Sequence, residues 1–187
     1  MKAKLMKRDK TVFVAIDYQE KIIKAMKDAE EIEDRAAKLI KGAKILDVPV
    51  LVTQQYTRGL GETTDQIREA LGDFEPVEKK TFGAMKTPEF RNHFASLARM
   101  TGADTIVLFG IEAHVCVMQT ALEMIDAGYR VFIPVDCISS RRELDKRAAV
   151  QRMRHAGALV CTYESVLFEL LKGADEPGFK EISELVK

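Results

Sequence analysis

Residues 105–127 read TIVLFGIEAHVCVMQTALEMIDA, and a glycine follows them at position 128. The first seven residues, Thr105–Ile111, are almost continuously apolar, which is typical of a strand that is buried on both faces of a sheet. Residues 114–127 then repeat apolar side chains at helical intervals, so the sequence predicts a helix that ends at the glycine. Cys116 therefore lies where a buried strand leads into a helix.

The same alternation of strand and helix runs along the rest of the chain. Short β-branched and aliphatic runs predict six strands, at residues 11–17, 49–53, 75–78, 105–111, 130–135 and 158–161. Amphipathic stretches predict helices at residues 30–46, 64–71, 88–100, 114–127, 141–154, 163–172 and 178–187. This order predicts one α/β domain over residues 1–187, with a mostly parallel six-stranded sheet and helices on both of its faces.

The composition is that of an ordinary soluble protein, with 47% hydrophobic and 31% charged residues. Lys plus Arg and Asp plus Glu both number 29, so no excess of positive charge favours binding to nucleic acid or to a membrane. The N-terminal stretch MKAKLMKRDK lacks the apolar core of a secretory signal, and the three cysteines form no CxxC unit. These features predict a cytoplasmic protein that binds neither nucleic acid nor a membrane.

Candidate site residues follow the strands, because open α/β sheets bind ligands beyond the carboxyl ends of their strands. Asp17 ends the first predicted strand in VFVAIDYQE. It is either the cap of the next helix or a general base. Lys79 and Lys80 follow the third strand in VEKKTFGAM. They are either a solvated pair, or one of them points into the cleft, where it would stabilise a thiolate.

Cys116 has the most suggestive position of the three cysteines. At the first turn of a helix, unpaired N–H groups and the helix dipole are expected to lower its pKa and to bind an oxyanion. The alternative is that Cys116 fills space in the core, which is the commoner role of a free cysteine. The sequence assigns Cys161 to the core and predicts that Cys137 is unreactive.

Metal and dinucleotide sites are not predicted. The three histidines, His93, His114 and His155, form no ligand set, and the residues after the second strand, TQQYT, offer amides and hydroxyls. Gly59 and Gly61 lack a third glycine at the position of Thr64, so no dinucleotide fingerprint is present. We therefore expect neither a metal nor another cofactor.

Five stretches together resemble the isochorismatase-like cysteine hydrolases, whose relatives include nicotinamidases and N-carbamoylsarcosine amidohydrolase. They are spread from residue 12 to residue 170 and read VFVAIDYQE, VPVLVTQQY, EKKTFGAM, GIEAHVCVMQTALEMIDAGYRVFIPVDCISSR and ALVCTYESVLFEL. GIEAHVC and VTQQYTRGLG are most similar to the small isochorismatase-domain proteins. The resemblance implies a Rossmann-like three-layer fold and a homo-oligomer.

The resemblance also implies an Asp-Lys-Cys catalytic triad. Asp17 would be the base and Cys116 the nucleophile, and the spacing from the aromatic Phe82 selects Lys79 as the lysine. Lys80 replaces Lys79 if the loop is shifted by one residue.

Further site features follow from the same resemblance. The peptide bond between Ile111 and Glu112 would be cis, and the backbone N–H groups of Glu112 and Cys116 would form the oxyanion hole. The side chains expected to line the substrate pocket are those of Gln19, Gln55, Tyr56, Phe82 and His114.

Two departures from the family narrow the expected activity. Gln55 and Thr57 stand where nicotinamidases carry metal ligands, and Cys116 is present where true isochorismatases, which cleave a vinyl ether by acid catalysis, lack a nucleophilic cysteine. Gly83 stands where the family often has serine, which changes part of the expected pocket wall. The sequence therefore predicts a metal-independent hydrolase that cleaves a small amide, carbamoyl or related carbonyl compound through a covalent Cys116 intermediate. Two alternatives remain: a non-catalytic binding or scaffold protein, and a vinyl-ether hydrolase that uses Asp17 as an acid.

Overall fold

The computed structural model describes residues 5–187, so the first four residues of the basic N-terminal stretch lie outside the described residues. Strands and helices alternate along this part of the chain. The strands within residues 5–187 are β1 (Thr11–Ile16), β2 (Val50–Gln55), β3 (Val77–Lys79), β4 (Thr105–Ile111), β5 (Arg130–Pro134), β6 (Ile138–Ser139) and β7 (Leu159–Cys161). The α-helices over the same range are α1 (Glu20–Ile23), α2 (Ala29–Ile45), α3 (Thr57–Leu60), α4 (Asp65–Leu71), α5 (Pro88–Thr101), α6 (Met118–Asp126), α7 (Glu143–His155), α8 (Tyr163–Leu171) and α9 (Phe179–Leu185).

The strands form one sheet in the order β3-β2-β1-β4-β5-β7, and the two-residue strand β6 pairs with β4. Every strand pairing among the described residues is parallel. Helix α2 packs with α4, α8 and α9, while α6 packs with α7 and with the turn Ala84–Lys86. The α/β fold with a parallel sheet between helices is confirmed, and β6 is the strand that the sequence did not predict. Its two residues are too few to show a period.

The centre of the sheet is the most deeply buried part of the molecule. All residues of β1 and β4 are buried, as their continuous apolar runs predict. The rings of Phe13 and Phe109 meet edge to face, with centroids 6.1 Å apart. The edge strand β7 is less buried than β1 and β4. The sequence predicted that Cys161 lies in the core, but this residue is only half-buried. An edge strand lacks a neighbour on one side, so its apolar pattern overstates its burial.

The register of the central strands brings their carboxyl ends to one edge of the sheet. Ile16 at the end of β1 pairs with Thr53 of β2 and with Gly110 of β4. Gln55 pairs with Lys79 at the end of β3. The residues that follow β1, β3 and β4 therefore start from adjacent positions, as the topology requires of a site at this edge.

Gly110 allows β4 to approach β1 closely at that edge. Its φ is +137°, and a Cβ built at this position would overlap the carbonyl oxygen of Ile16 and lie 2.7 Å from the Ile16 Cβ. Only glycine satisfies both the backbone conformation and the space.

No helix within residues 5–187 combines the length and apolarity needed to cross a membrane.

We expect Gly110→Ala to lower the free energy of unfolding by about 2–3 kcal/mol, because it adds a backbone clash to an unfavourable φ. The matched control is Gly102→Ala, where φ is also positive, at +63°, but no atom lies within 4 Å of the added Cβ. Urea unfolding followed by circular dichroism measures both changes. Equal losses at the two positions would show that the contact with Ile16 has no energetic weight.

Candidate active site

Asp17, Lys79 and Cys116 meet at the carboxyl edge of the sheet. The Lys79 Nζ lies 2.6 Å from the Asp17 Oδ2, and both side chains are 0% exposed. The Cys116 residue is 4% exposed, and its thiol interacts with both the Asp17 carboxylate and the Lys79 ammonium. Lys80 is exposed, so Lys79 is the lysine that faces the cluster.

Neighbouring polar groups hold the Asp17–Lys79 pair in place. Thr53 Oγ1 donates to the second carboxylate oxygen of Asp17 at 2.7 Å. Lys79 Nζ also donates to Gln55 Oε1 at 2.7 Å and to the carbonyl oxygen of Thr81 at 3.4 Å. Asp17 itself lies just beyond β1 with a φ of +53°. Its carboxylate caps no helix, because α1 begins after Gln19 with no side-chain cap.

The electrostatics of Cys116 differ from the sequence-based expectation. Burial raises the pKa of the Cys116 thiol to about 12, the Asp17 carboxylate adds to the rise, and the Lys79 ammonium opposes it. The predicted lowering by a helix N-terminus is therefore wrong, because burial and the adjacent carboxylate outweigh it. The raised pKa means that this site favours the neutral form of the thiol. Asp17 is the carboxylate beside it.

The turn that carries Cys116 has an unusual backbone. The Ile111–Glu112 peptide bond is cis, and residues Ala113–Val117 form a π-helical turn before α6 starts. The carbonyl oxygen of Glu112 accepts from the N–H groups of Val115 and Val117, at 3.1 and 3.2 Å. Its side chain accepts from the Nε of Arg141 at 2.9 Å and from the Arg141 backbone N–H at 3.2 Å. Glu112 is thus held both by its own turn and by Arg141, which lies two residues before α7.

The predicted pocket residues fall into two groups. Tyr56 and Phe82 are 47% and 52% exposed and lie on the segments that follow β2 and β3. Gln55 has its Nε2 on the carbonyl oxygen of Lys80 at 3.0 Å, and His114 has its Nδ1 2.9 Å from Ser140 Oγ. Two of these four side chains, the aromatic rings of Tyr56 and Phe82, are therefore open to solvent.

Gln19 has a different role from the one predicted. Its side chain is fully buried, and its Nε2 donates to the carbonyl oxygens of Gly61, at 2.7 Å, and Gln55, at 3.1 Å. Its Oε1 accepts from the Gln55 N–H at 2.7 Å. All of these bonds go to the backbone, so the amide positions the chain around β2 and offers little to a ligand.

Sequence reasoning missed several polar residues that support the site. Thr120 Oγ1 donates to the carbonyl oxygen of Cys116 at 2.7 Å, and Glu123 accepts from the Met85 N–H at 3.1 Å. The spacing of Cys116, Thr120 and Glu123 places them on neighbouring turns of one helix, which is the signal that was available in the sequence. Within residues 5–187, no group of three or more His, Cys, Asp or Glu side chains is arranged to hold a metal ion.

Comparisons with known proteins agree with the fold. The family model of the isochorismatase domain matches residues 11–165. The isochorismatase domain-containing protein 1 of Danio rerio is 39% identical over 177 residues, which are 95% of this chain and 61% of that protein. The chain thus spans about three fifths of the length of this relative.

Solved structures share the whole architecture. The structure of MAR1 ribonuclease from Caenorhabditis elegans is 34% identical, with a TM-score of 0.89 over 98% of this chain and 92% of that chain. The YcaC gene product of Escherichia coli, described as an octameric hydrolase of unknown specificity, has the same fold at 21% identity, with a TM-score of 0.85 over 93% of this chain and 85% of that chain. Sequence and structure together show that the chain belongs to the isochorismatase family, whose members are generally hydrolases.

Proposed function

We propose that this protein is a metal-independent cysteine hydrolase that cleaves the C–N bond of a small amide, carbamoyl or related carbonyl compound. The observation that carries the proposal is the buried pair of Asp17 and Lys79, with Nζ and Oδ2 2.6 Å apart, beside the thiol of Cys116. In this cluster the carboxylate can act as a general base for the thiol, which is one of the ways in which a cysteine nucleophile is activated.

In the first step, the Cys116 sulfur attacks the carbonyl carbon of the substrate while its proton moves to Asp17. A base is needed because the thiol has a pKa of about 12 and is not ionised at neutral pH. The Lys79 ammonium offsets the negative charge of Asp17 and holds its carboxylate towards the sulfur. The backbone N–H groups of Glu112 and Cys116 receive the oxyanion that forms on the carbonyl oxygen.

In the second step, the tetrahedral intermediate collapses and the C–N bond breaks. The proton on Asp17 passes to the departing nitrogen, which leaves as an amine or ammonia, and a thioester remains on Cys116. Water then attacks this thioester and gives its proton to Asp17, which returns a proton to the sulfur as the acid product leaves. Each proton taken by the carboxylate is given back, so the cycle needs no cofactor.

The exposed rings of Tyr56 and Phe82, together with Gln55 and His114, are the proposed walls of the substrate pocket. Tyr56 has a φ of +39°, its N–H donates to the carbonyl oxygen of Lys79 at 2.9 Å, and its ring lies against Gly59. Held in this way beside Lys79, an aromatic side chain that remains half exposed is suited to contact a ligand.

Two other activities compete with amide hydrolysis. An acid-catalysed cleavage of a vinyl ether requires a protonated Asp17, whereas Asp17 is paired with Lys79 and accepts from Thr53. Ribonuclease activity, named for the similar protein of Caenorhabditis elegans, requires transfer at phosphorus, and this chain has a balanced charge of 29 basic and 29 acidic residues. The geometry favours hydrolysis at carbon. Single-stranded RNA should be included in the substrate panel, because its cleavage would support the ribonuclease alternative.

Cys116→Ala is expected to lower turnover of the best substrate by a factor of about 10³ or more, because the nucleophile is removed. The measurement is ammonia or amine release from a panel of small amides and carbamoyl compounds, with mass spectrometry of the wild type to detect an acyl adduct on Cys116. The matched control is Cys161→Ala, which changes a half-buried cysteine on β7. Turnover that survives Cys116→Ala but is lost in Asp17→Asn would favour the acid-catalysed alternative.

Asp17→Asn is expected to move turnover and alkylation of Cys116 in opposite directions. Turnover falls by about 10²- to 10⁴-fold, because the base is lost. Alkylation by iodoacetamide between pH 8 and 10 becomes faster, since the Asp17 carboxylate raises the pKa of the thiol and Lys79 lowers it. Peptide mass spectrometry measures the rate, with Cys161 as the internal reference. Slower alkylation in the variant would contradict the assigned electrostatics.

We also propose that the protein forms a homo-oligomer. Large apolar side chains of Leu5, Met100 and Leu144 are exposed, as is Val160 on the edge strand β7. A second copy would cover such residues. Light scattering coupled to size-exclusion chromatography should give a mass that is a multiple of 21.0 kDa. A monomer at micromolar concentration would overturn this expectation.

A further inference from the structure

The segment that carries Phe82 is fastened to the helix that follows the nucleophile. This Phe82 segment, residues 79–86, runs from the last residue of β3 to the end of the turn Ala84–Lys86. The Ala84 N–H donates to Thr120 Oγ1 at 3.0 Å. The Met85 N–H donates to Glu123 Oε2 at 3.1 Å. Two consecutive backbone groups of the segment are therefore bound by side chains of α6.

The Thr120 hydroxyl makes a second bond that links the segment to Cys116. It donates to the carbonyl oxygen of Cys116 at 2.7 Å while accepting from Ala84, and Thr120 is fully buried. One oxygen atom thus joins the backbone of the nucleophile turn to the backbone of the Phe82 segment. Because a hydroxyl has one hydrogen and two lone pairs, it suits this pair of bonds, and a methyl group in its place would lose both.

Glu123 holds the same segment at Gly83 and Met85, on either side of Ala84. Its carboxylate lies against the backbone of Gly83, where an added Cβ would overlap it. Burial raises the pKa of Glu123, while the bond from Met85 and the charges of Lys86 and Lys79 oppose the rise. The carboxylate is therefore close enough to Lys79 to interact with it electrostatically. The absence of a side chain at Gly83 leaves room for this contact.

We propose that Thr120 and Glu123 are positioning residues that hold the Phe82 segment against the nucleophile turn, so that the thiol stays covered and Lys79 stays aligned with it. In this proposal neither Thr120 nor Glu123 contacts the substrate. The effect on turnover rests on the proposed function, whereas the effect on the covering of Cys116 does not. A small misplacement of reacting groups costs about 10²-fold in rate, so loss of these bonds should be measurable.

The experiment compares Thr120→Val, Thr120→Ser and Glu123→Ala with Asp126→Ala. Asp126 is an exposed carboxylate on the same helix, at its last residue. Serine keeps the hydroxyl and tests for rescue, while valine keeps the shape and removes the bonds. Each variant is checked by circular dichroism. Two quantities are then measured: kcat on the best substrate, and the alkylation rates of Cys116 and Cys137 with iodoacetamide at pH 8.5.

Thr120→Val is expected to lower kcat by about 10- to 100-fold, and Glu123→Ala by about tenfold. Burial is the largest cause of the raised pKa of Cys116, so uncovering the thiol should speed its alkylation by about three- to tenfold. Cys137 is 0% exposed and should stay unreactive in every variant. Thr120→Ser and Asp126→Ala should match the wild type in both measurements.

Two results would overturn the proposal. The first is that Thr120→Val and Glu123→Ala match Asp126→Ala in kcat and in the alkylation rate of Cys116. The second is that Cys137 becomes reactive together with Cys116, since that reports a general loosening of the fold. If the wild type hydrolyses nothing in the panel, the proposed function fails, and the alkylation rates still decide the positioning role. If Thr120→Val does not fold, Glu123→Ala decides it.

Discussion

The buried ion pair between Asp17 and Lys79 is the constraint on which the site depends. Both side chains are fully removed from solvent, with Nζ and Oδ2 2.6 Å apart. Taking two charges out of water is expensive, and such a pair adds little to stability compared with apolar residues of the same size. Removing one partner is another matter, because it costs about 3–5 kcal/mol by leaving a single charge buried. The pair is therefore explained better by chemistry than by stability.

The surroundings of the pair distribute its charge over fixed dipoles. Thr53 binds one carboxylate oxygen, Lys79 binds the other, and Gln55 accepts a further hydrogen bond from the ammonium. Because β1, β2 and β3 are adjacent and parallel, these side chains come from neighbouring strand ends. Cys116 reaches the same place from β4, on the other side of β1. Asp17 thus stands between Lys79 and Cys116 in the order of the strands.

Much of this arrangement could be predicted from the sequence. The apolar runs of β1 and β4 identified the buried strands, and the rule that ligands bind beyond strand ends made Asp17, the Lys79–Lys80 pair and Cys116 candidates. The family resemblance then selected Lys79. The sequence could not reveal the raised pKa of Cys116, since it depends on burial and on the distance to a carboxylate that is 99 positions away in the chain. The role of Gln19 was hidden as well, because its side chain binds the backbone of residues far along the chain. For Thr120, the four-residue spacing from Cys116 was visible in the sequence, but the Ala84 N–H that it binds was not.

The amide of Gln19 has a consequence for how this fold diversifies. It binds Gln55 on both sides of its peptide backbone and also holds Gly61, where the intervening segment returns. Residues 56–60 therefore form an excursion of the chain whose two ends, Gln55 and Gly61, are both hydrogen-bonded to the buried side chain of Gln19. Side-chain replacements inside that excursion leave these bonds in place, because all of them go to the backbone of Gln55 and Gly61. Under the proposed function, ligand preference can therefore change through residues 56–60 while the side chains of Asp17, Lys79 and Cys116 stay the same.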